Sequence, residues 1–219
     1  MSNKHNITLA YTGAGGTIVH RTLLKLLSGD DRVEHINVVA SPNGHRLLQL
    51  EWGVENPAEM IPEIAGKNAK KVSVLNDRDL SSPVTSGSYP TTAVIIAPLA
   101  VGALSRIASG AATDLIERAA DVALKERIPL VLCVREAPLN LIHIKNMAAA
   151  TEAGAIIFPI TPTFYNGQST VESIVEEFAH RVLSIIGLKQ TNKYEWNGAS
   201  SETRKIHTSQ INRSQPSCP

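Results

Sequence analysis

The chain has 219 residues, 43% hydrophobic and 19% charged, and its formal net charge is +1. This length predicts one compact domain with an appended tail, and the composition excludes a disordered or fibrous chain. With so little net charge, no nucleic-acid partner is expected. The longest apolar stretch, 94–104, is interrupted by Pro98 and Gly102 and is too short for a membrane-spanning helix, so no membrane partner is expected. Two cysteines and the lack of a secretory signal favour the cytoplasm.

Apolar runs alternate with helical patterns along the chain. The runs that predict strands are 7–11, 36–40, 72–75, 93–97, 130–134 and 155–158. Helical patterns follow the first two runs and recur at about 104–126, 140–153 and 170–187. The runs 93–97 and 130–134 are apolar throughout, as expected of strands that are buried on both faces of a parallel sheet. The alternation predicts an α/β fold with a doubly wound parallel sheet sandwiched by helices.

Two segments stand apart from this alternation. Residues 76–90 are rich in Ser and Asp, and they predict a long loop above the sheet, where loops of this length are often functional. After residue 188 the chain becomes polar. We therefore predict a domain over 1–188 and a C-terminal tail, 189–219, that is flexible or packs on a neighbouring subunit.

A glycine-rich turn follows the first predicted strand. Gly13, Gly15 and Gly16 allow backbone N–H groups to approach an anion at a helix N-terminus, although a tight turn without a ligand is the alternative. The turn does not match a dinucleotide-binding motif. Ile18 stands where the third glycine is needed, and Ser41 follows the second strand where an acidic residue would hold the ribose. NAD is therefore disfavoured.

Ligands of open α/β sheets bind beyond the carboxyl ends of the strands. Arg135 and Glu136 follow the fifth run, which makes them an active-site candidate or, alternatively, a structural ion pair. Tyr165 follows the last strand on the same side. Arg181 lies in the final helix beside apolar residues, a position more typical of a packed side-chain stem than of a ligand contact.

The helical pattern 104–126 carries charges in two arrangements. Arg118 and Lys125 are two turns apart on one face, but Glu117, Asp121 and Lys125 form an i,i+4 series that is typical of a solvated surface. Periodicity alone favours the surface interpretation. No His or Cys cluster has the spacing of metal ligands, so a metal site is not expected.

One long block resembles a known family. It comprises residues 114–127, the segments Pro129-Leu-Val-Leu and Arg135-Glu-Ala-Pro-Leu, and the later matches His143, Asn146-Met147, Gly154-Ala155 and Phe164-Tyr165. Over about 7–196 the chain resembles the flavin prenyltransferases (UbiX type), formerly called aromatic acid decarboxylases. The resemblance implies a Rossmann-like or flavodoxin-like fold and a homo-oligomer, trimer-based and up to a dodecamer.

The resemblance also implies an activity. A dimethylallyl group is joined from dimethylallyl phosphate to reduced FMN, and the prenylated FMN serves a downstream partner decarboxylase. The residues that resemble FMN contacts are Gly13, Ala14, Gly15, Ser41 and Arg135. Those that resemble contacts of the prenyl phosphate are Arg118, Lys125, Tyr165 and Arg181, which replaces the surface interpretation of Arg118 and Lys125. Glu136 resembles the family's acid/base, and Glu51 resembles a second acidic residue near the prenyl site.

The chain departs from the family pattern on the flavin side. Gly15 replaces a serine whose hydroxyl is expected beside Glu136, and Ala100 and Ala103 replace a serine and a threonine. Each lost hydrogen bond costs on the order of 1 kcal/mol, so weakened FMN binding and slow prenyl transfer are predicted. The alternatives are a divergent FMN-binding paralogue without prenyl transfer, or a flavin-dependent cysteine decarboxylase of the same fold. The latter is disfavoured because its P-x-M-N-x-x-M-W segment is absent.

Overall fold

The computed structural model describes residues 4–163 and 168–190. In this part of the chain, six strands form one sheet in the order β3-β2-β1-β4-β5-β6, and every neighbouring pair is parallel. The strands are β1 His5–Tyr11, β2 Val33–Ala40, β3 Val72–Leu75, β4 Ala93–Leu99, β5 Leu130–Val134 and β6 Ile156–Ile157. The predicted doubly wound α/β sheet is confirmed.

Helices cover both faces of the sheet. They are α1 Thr17–Gly29, α2 Pro42–Trp52, α3 Pro57–Ala65, α4 Val101–Ala108, α5 Leu115–Glu126, α6 Leu141–Glu152 and α7 Val171–Ile185, with short 3₁₀ helices at Gly66–Lys71 and Pro83–Thr85. The buried side chains of α1 and α7 form one core with the sheet. Those of α4 and α5 form a second core on the opposite face. Strands β4 and β5 are buried along their whole length, as their unbroken apolar sequences predict.

The continuous helical pattern predicted at 104–126 is two helices in the structure. Helix α4 ends before Gly110, whose φ of +73° lies in the left-handed region, and α5 begins after Asp114, whose side chain accepts a hydrogen bond from the backbone N–H of Glu117. Both features are typical of helix ends. The break turns the start of α5 towards the carboxyl edge of the sheet.

The C-terminal tail predicted at 189–219 lies outside the described residues from 191 onwards. Its first two residues are held against the turn before β2, where Arg32 Nη2 donates to the carbonyl of Lys189 (3.0 Å) and Gln190 Nε2 donates to Asp30 Oδ2 (3.2 Å). None of the helices in ranges 4–163 and 168–190 is long and apolar enough to cross a membrane.

Candidate functional site

Backbone hydrogen bonds bring the chain segments after four strands together at the carboxyl edge of the sheet. The N–H of Ser41 donates to the carbonyl of Tyr11 (3.1 Å), and the N–H of Arg135 donates to that of Leu99 (3.0 Å). The N–H of Ala100 donates to the hydroxyl of Thr12 (2.7 Å). The glycine loop, Ser41, Ala100 and Arg135 therefore lie at one edge, as the order of the elements predicts.

A cavity of about 420 Å³ opens at this edge. Its walls include the glycine loop, the first turn of α2, the first turn of α4 and the start of α5; the lining residues used below are Gly13, Ser41, Arg78, Ala100, Gly102, Ala103, Arg106, Thr113, Asp114 and Glu117. This volume lies in the range of small-molecule sites.

The N-terminus of α1 is capped by a carboxylate from α2. Glu51 Oε1 accepts a hydrogen bond from the N–H of Gly16 (2.9 Å), and Oε2 accepts from the N–H of Thr17 (2.8 Å). Gly16 offers no side chain that could cap the helix. The sequence predicts an anion at this helix N-terminus, and in the structure Glu51 supplies it.

Glu51 is ionised at neutral pH. Burial opposes its charge, but hydrogen bonds from Thr17 and Gly16, together with the positive charge of Arg135, outweigh burial and lower the pKa of Glu51. The indole of Trp52 donates to the Thr17 hydroxyl (2.7 Å), which itself donates to Glu51 (2.6 Å). The carboxylate is thereby fixed in place.

Gly15 lies between Glu51 and Arg135. A Cβ atom at Gly15 would be 3.4 Å from Glu51 Oε1 and 3.8 Å from Arg135 Cζ, and these two residues supply the three nearest atoms. The space left by the missing serine side chain therefore borders Glu51 and Arg135 and not Glu136, beside which the resemblance placed the hydroxyl.

Glu136 is exposed at a second, smaller cleft. Its Oε1 accepts a hydrogen bond from the N–H of Ala137 (3.1 Å). Together with Arg135 and the segment 159–161 it lines a space of about 200 Å³. A carboxylate in this position is accessible to a ligand bound at the carboxyl edge.

Of the residues expected to bind the prenyl phosphate, the three that the structure describes make separate contacts within one chain. Lys125 contacts Glu126 near the end of α5, and Arg118 donates to Asp121 Oδ2 (2.6 Å). The guanidinium of Arg181 lies 5.7 Å from the ring centroid of Phe158, which agrees with the packed stem that its apolar neighbours indicate. Tyr165 lies outside the described residues.

Lys125 lies at the edge of the sheet opposite Arg135. Helix α5 ends one residue after Lys125, and β5 begins at Leu130 and runs away from it. Since a strand rises about 3.3 Å per residue, the five residues of β5 place Lys125 and Arg135 on the order of 16 Å apart along the strand direction.

Sequence reasoning missed one part of the cavity. The Glu117 side chain is fully buried, so the surface interpretation of the Glu117 series is wrong for this residue. It pairs with Arg106 of α4 and accepts hydrogen bonds from the N–H (2.8 Å) and hydroxyl (2.7 Å) of Thr113. Its position next to the apolar Ile116 and Ala120 is the signal that could have indicated burial.

The described residues contain no group of three or more His, Cys, Asp or Glu side chains placed to hold a metal ion. Two acidic residues of the carboxyl edge have other roles: Glu117 pairs with Arg106, and Asp114 caps the start of α5. Burial raises the pKa of Asp114, and the neighbouring charge of Glu117 adds to this effect.

The fold and this edge define a flavin-binding class of protein. The family model named Flavoprotein matches residues 1–183. The flavin prenyltransferase UbiX of Pseudomonas aeruginosa is 39% identical over 202 residues, which cover 90% of this chain and 96% of the relative. A probable UbiX-like flavin prenyltransferase of Bacillus subtilis is 34% identical over 91% of this chain and 93% of its own length.

Solved structures of UbiX-type proteins are similar to this chain as well. AnUbiX (PadA1), in complex with FMN and dimethylallyl pyrophosphate, has 34% identity and a TM-score of 0.81, covering 90% of this chain and all of its own. A dodecameric FMN-dependent UbiX-like decarboxylase from Escherichia coli O157:H7 has 33% identity and a TM-score of 0.79, covering 88% and 100%. The chain belongs to the UbiX flavin prenyltransferase family, which confirms the resemblance. The cysteine decarboxylase TvaF, at 15% identity, shares the fold alone.

Proposed function

We propose that this protein is a flavin prenyltransferase that joins the dimethylallyl group of dimethylallyl phosphate to reduced FMN. One observation carries the proposal: Arg135, Glu51 and the open space at Gly15 meet at the carboxyl edge. The adjoining cavity is large enough for a mononucleotide. The relatives that carry this activity in their names are 34–39% identical and align over about nine-tenths of the chain.

The residues at the carboxyl edge fit FMN. Gly13, Ala14, Ser41 and Arg135 are the proposed contacts, and the cavity beside Gly13 and Ser41 combines cationic side chains with open volume. Gly13 is needed here because a Cβ atom would come within 2.5 Å of the Asn43 side chain. When bound, reduced FMN supplies the ring atoms that accept the prenyl group.

Two carboxylates at this edge have different proposed roles. Glu136 is exposed to the ligand side and is proposed to give a proton to the leaving phosphate or to accept the ring proton. Glu51 is held ionised by Gly16 and Thr17, and it is proposed to orient Arg135 across the space at Gly15. Water entering that space can hydrogen-bond to Glu51 and Arg135 in place of the missing serine hydroxyl.

A homo-oligomer would complete the site. We propose that Arg118, Lys125, Tyr165 and Arg181 bind the prenyl phosphate, with Lys125 coming from a second copy because it lies at the opposite edge of its own sheet. The first turn of α6 and the segment before it expose apolar side chains that follow Glu136 in the chain, namely Leu139, Leu141, Ile142 and Ile144. An exposed apolar patch of this kind is typical of a protein interface. A trimer-based assembly, up to a dodecamer, with the tail 189–219 on a neighbouring subunit, is proposed.

An anaerobic assay tests the function. Protein, reduced FMN and dimethylallyl phosphate are incubated, and the flavin is analysed by mass spectrometry. We expect slow formation of prenylated FMN that Glu136→Gln abolishes. If FMN binds but neither the unmodified protein nor Gly15→Ser gives an adduct, the protein is an FMN-binding paralogue without prenyl transfer. The loss of hydroxyls at Gly15, Ala100 and Ala103 is the observation that favours this second candidate.

The remaining parts of the proposal concern the cellular setting. We propose that the product passes to a downstream decarboxylase and that the protein acts in the cytoplasm, as the resemblance and the composition imply. Adding purified product to an apo-decarboxylase and measuring recovered decarboxylation would test the first statement. Cell fractionation would test the second.

A further inference from the structure

The lining of the 420 Å³ cavity comes from two parts of the chain. Gly13 and Ser41 belong to the segments after β1 and β2, and Arg106, Thr113 and Glu117 belong to α4, α5 and the segment between them. Arg135 does not line this cavity but lies against Gly15, beyond the glycine loop. A ligand whose reacting ring lies beside Arg135 and whose other end enters this cavity can reach Arg106.

The guanidinium of Arg106 is fixed by an ion pair with Glu117. Its Nε donates to Glu117, whose side chain is fully buried, while the side chain of Arg106 itself remains 45% exposed. Burial opposes the charge of Glu117, but hydrogen bonds from Thr113 and Arg106 outweigh it and lower the pKa of the carboxyl. Glu117 therefore stays ionised and fixes Nε, which leaves the two terminal nitrogens of Arg106 for a ligand.

The approach to Arg106 is open. Gly102, one turn earlier in α4, has no side chain, and a Cβ atom there would lie 3.8 Å from Arg106 Nη1. Arg78 lines the same cavity, but it pairs with Asp77 (3.5 Å) and its side chain is 69% exposed. Arg106 is thus the better ordered of the two cations.

Several helix N-termini at this edge are already capped by the protein's own side chains. Glu51 caps α1, the Ser41 hydroxyl caps α2 and Asp114 caps α5. Ala100 begins α4 without a side-chain cap, and the first turn of α4 lines the cavity that Arg106 faces. An anion in the cavity therefore has Arg106 as its fixed charged partner.

We infer that Arg106 binds the phosphate group of FMN, in place of the hydroxyl side chains absent at Ala100 and Ala103, an inference that rests on the proposed function. A guanidinium fixed at Nε presents its two terminal nitrogens as a fork that matches two phosphate oxygens. Glu117 is the positioning residue for this contact. FMN, and not riboflavin, is the flavin that this cavity selects.

The test compares the affinities of FMN and riboflavin, which differ by the phosphate, measured by quenching of flavin fluorescence. Arg106→Gln should lower FMN affinity about tenfold or more, since hydrogen bonds to charged groups contribute about 1.5–3 kcal/mol. Riboflavin affinity should change less than about twofold by the same reasoning. Arg106→Lys should give an intermediate FMN affinity because it keeps the charge and loses the fork.

Two further variants serve as safeguards. Arg106→Gln combined with Glu117→Gln removes both charges, so it avoids leaving a buried carboxylate unpaired, and it should show the same selective loss. Lys67→Gln removes one exposed charge near the amino edge, in the 3₁₀ helix before β3, and should leave both affinities unchanged.

Each result decides the assignment. A fall in the FMN-to-riboflavin affinity ratio in Arg106→Gln and in the double variant, and not in Lys67→Gln, supports it. An unchanged ratio, while the unmodified protein binds FMN, overturns the role of Arg106 and leaves flavin binding in place. A failure of the unmodified protein to bind FMN overturns the proposed function itself.

Discussion

Thr17 donates two hydrogen bonds to the same carboxylate oxygen of Glu51, one from its backbone N–H (2.8 Å) and one from its hydroxyl (2.6 Å). Glu51, 34 positions after Thr17 in the sequence, thus caps α1 in place of Gly16, which has no side chain to do so. The same carboxylate borders Gly15 and Arg135. The start of the first helix and the candidate site are therefore stabilised by one group.

Replacing Glu51 should destabilise the fold. Glu51→Gln removes the charge that caps α1, and we expect a loss of about 1 kcal/mol in the free energy of unfolding at pH 7, the usual size of a capping effect. Urea unfolding followed by circular dichroism measures it. Glu34→Gln is the control, since its ion pair with Lys4 (3.7 Å) is exposed on both sides and should contribute little.

The Glu51 effect has a defined pH dependence. Because the pKa of Glu51 is lower in the folded chain, its contribution is complete above the unfolded pKa of about 4.3 and is lost as the pH falls through the folded pKa. The difference between the unmodified protein and Glu51→Gln should therefore shrink below about pH 4. A difference that persists undiminished at pH 3 would contradict the role of its charge.

Restoring a hydroxyl at position 15 should raise activity. The backbone of Gly15 is not in the left-handed region, and a Cβ atom there would make contacts of 3.4 Å or longer, so Gly15→Ser fits without strain. We expect faster formation of prenylated FMN in the mass-spectrometric assay. Gly16→Ser is the matched comparison: its φ of +98° makes a side chain unfavourable, so it should lower stability by about 1 kcal/mol. Equal rates for Gly15→Ser and the unmodified protein would contradict the prediction.

The strands were predictable from the sequence because a strand that is buried on both faces of a sheet is a short run of apolar residues. The runs 93–97 and 130–134 correspond to β4 and β5, and their carboxyl ends correctly place Ala100 and Arg135 at one edge. The division between α4 and α5 was missed because both segments carry the same apolar spacing. A glycine directly after a helix is a common stop signal, and Gly110, with its left-handed backbone, ends the first segment in this way.

The site was less predictable than the fold. Sequence position indicated Ser41 and Arg135, since these residues directly follow strands. The partners of Glu51 and Glu117 come from other helices, and charge spacing within one helix carries no information about such partners. The cavity wall at Arg106 therefore became visible only in the structure.

Two glycines that differ in their surroundings should respond oppositely to alanine. A Cβ atom on Gly44 would come within 3.0 Å of the Tyr11 ring and carbonyl, so Gly44→Ala should cost about 1–3 kcal/mol in stability. Gly29 has open space and no left-handed backbone, so Gly29→Ala should stabilise by about 0.5–1 kcal/mol. Thermal or urea unfolding measures both. Equal effects of the two substitutions would show that the α2 approach to β1 is looser than described.

Mixing two inactive variants tests whether a second copy supplies Lys125. Lys125→Ala and Arg135→Ala should each lose prenyl transfer, and co-expression should restore about a quarter of the activity, because one in four sites pairs an intact Lys125 with an intact Arg135 from different copies. The assay is again the mass of the flavin product. A mixture without activity, while both variants remain folded and assembled, would show that Lys125 and Arg135 of one site come from the same copy.

Buried His20 should make the fold sensitive to mild acid. Its ring is buried and packs on Tyr11 at 4.3 Å between centroids, and a hydrogen bond with the backbone of Ala97 only partly favours its charged form. Burial lowers the pKa of His20 to about 3 from an ordinary value of 6.5. The folded chain therefore keeps His20 neutral between these values, whereas the unfolded chain binds a proton.

The sign of the effect follows from this difference in proton binding. The unfolded state takes up one more proton below about pH 6.5, so the free energy of unfolding should fall by up to about 1.4 kcal/mol per pH unit as the solution is acidified. Urea unfolding at pH 7, 6, 5.5 and 5 measures the slope. This pH range lies above the range in which protonation of carboxylates such as Glu51 begins to change the free energy of unfolding.

The assignment to His20 is tested by substitution. His20→Met keeps an apolar side chain of similar size and removes the titrating ring, so the slope between pH 6.5 and 5 should flatten by about one proton. His45→Gln, at a less buried position in α2, should keep the slope of the unmodified protein. If His20→Met loses stability with acid as steeply as the unmodified protein does, another group causes the acid sensitivity.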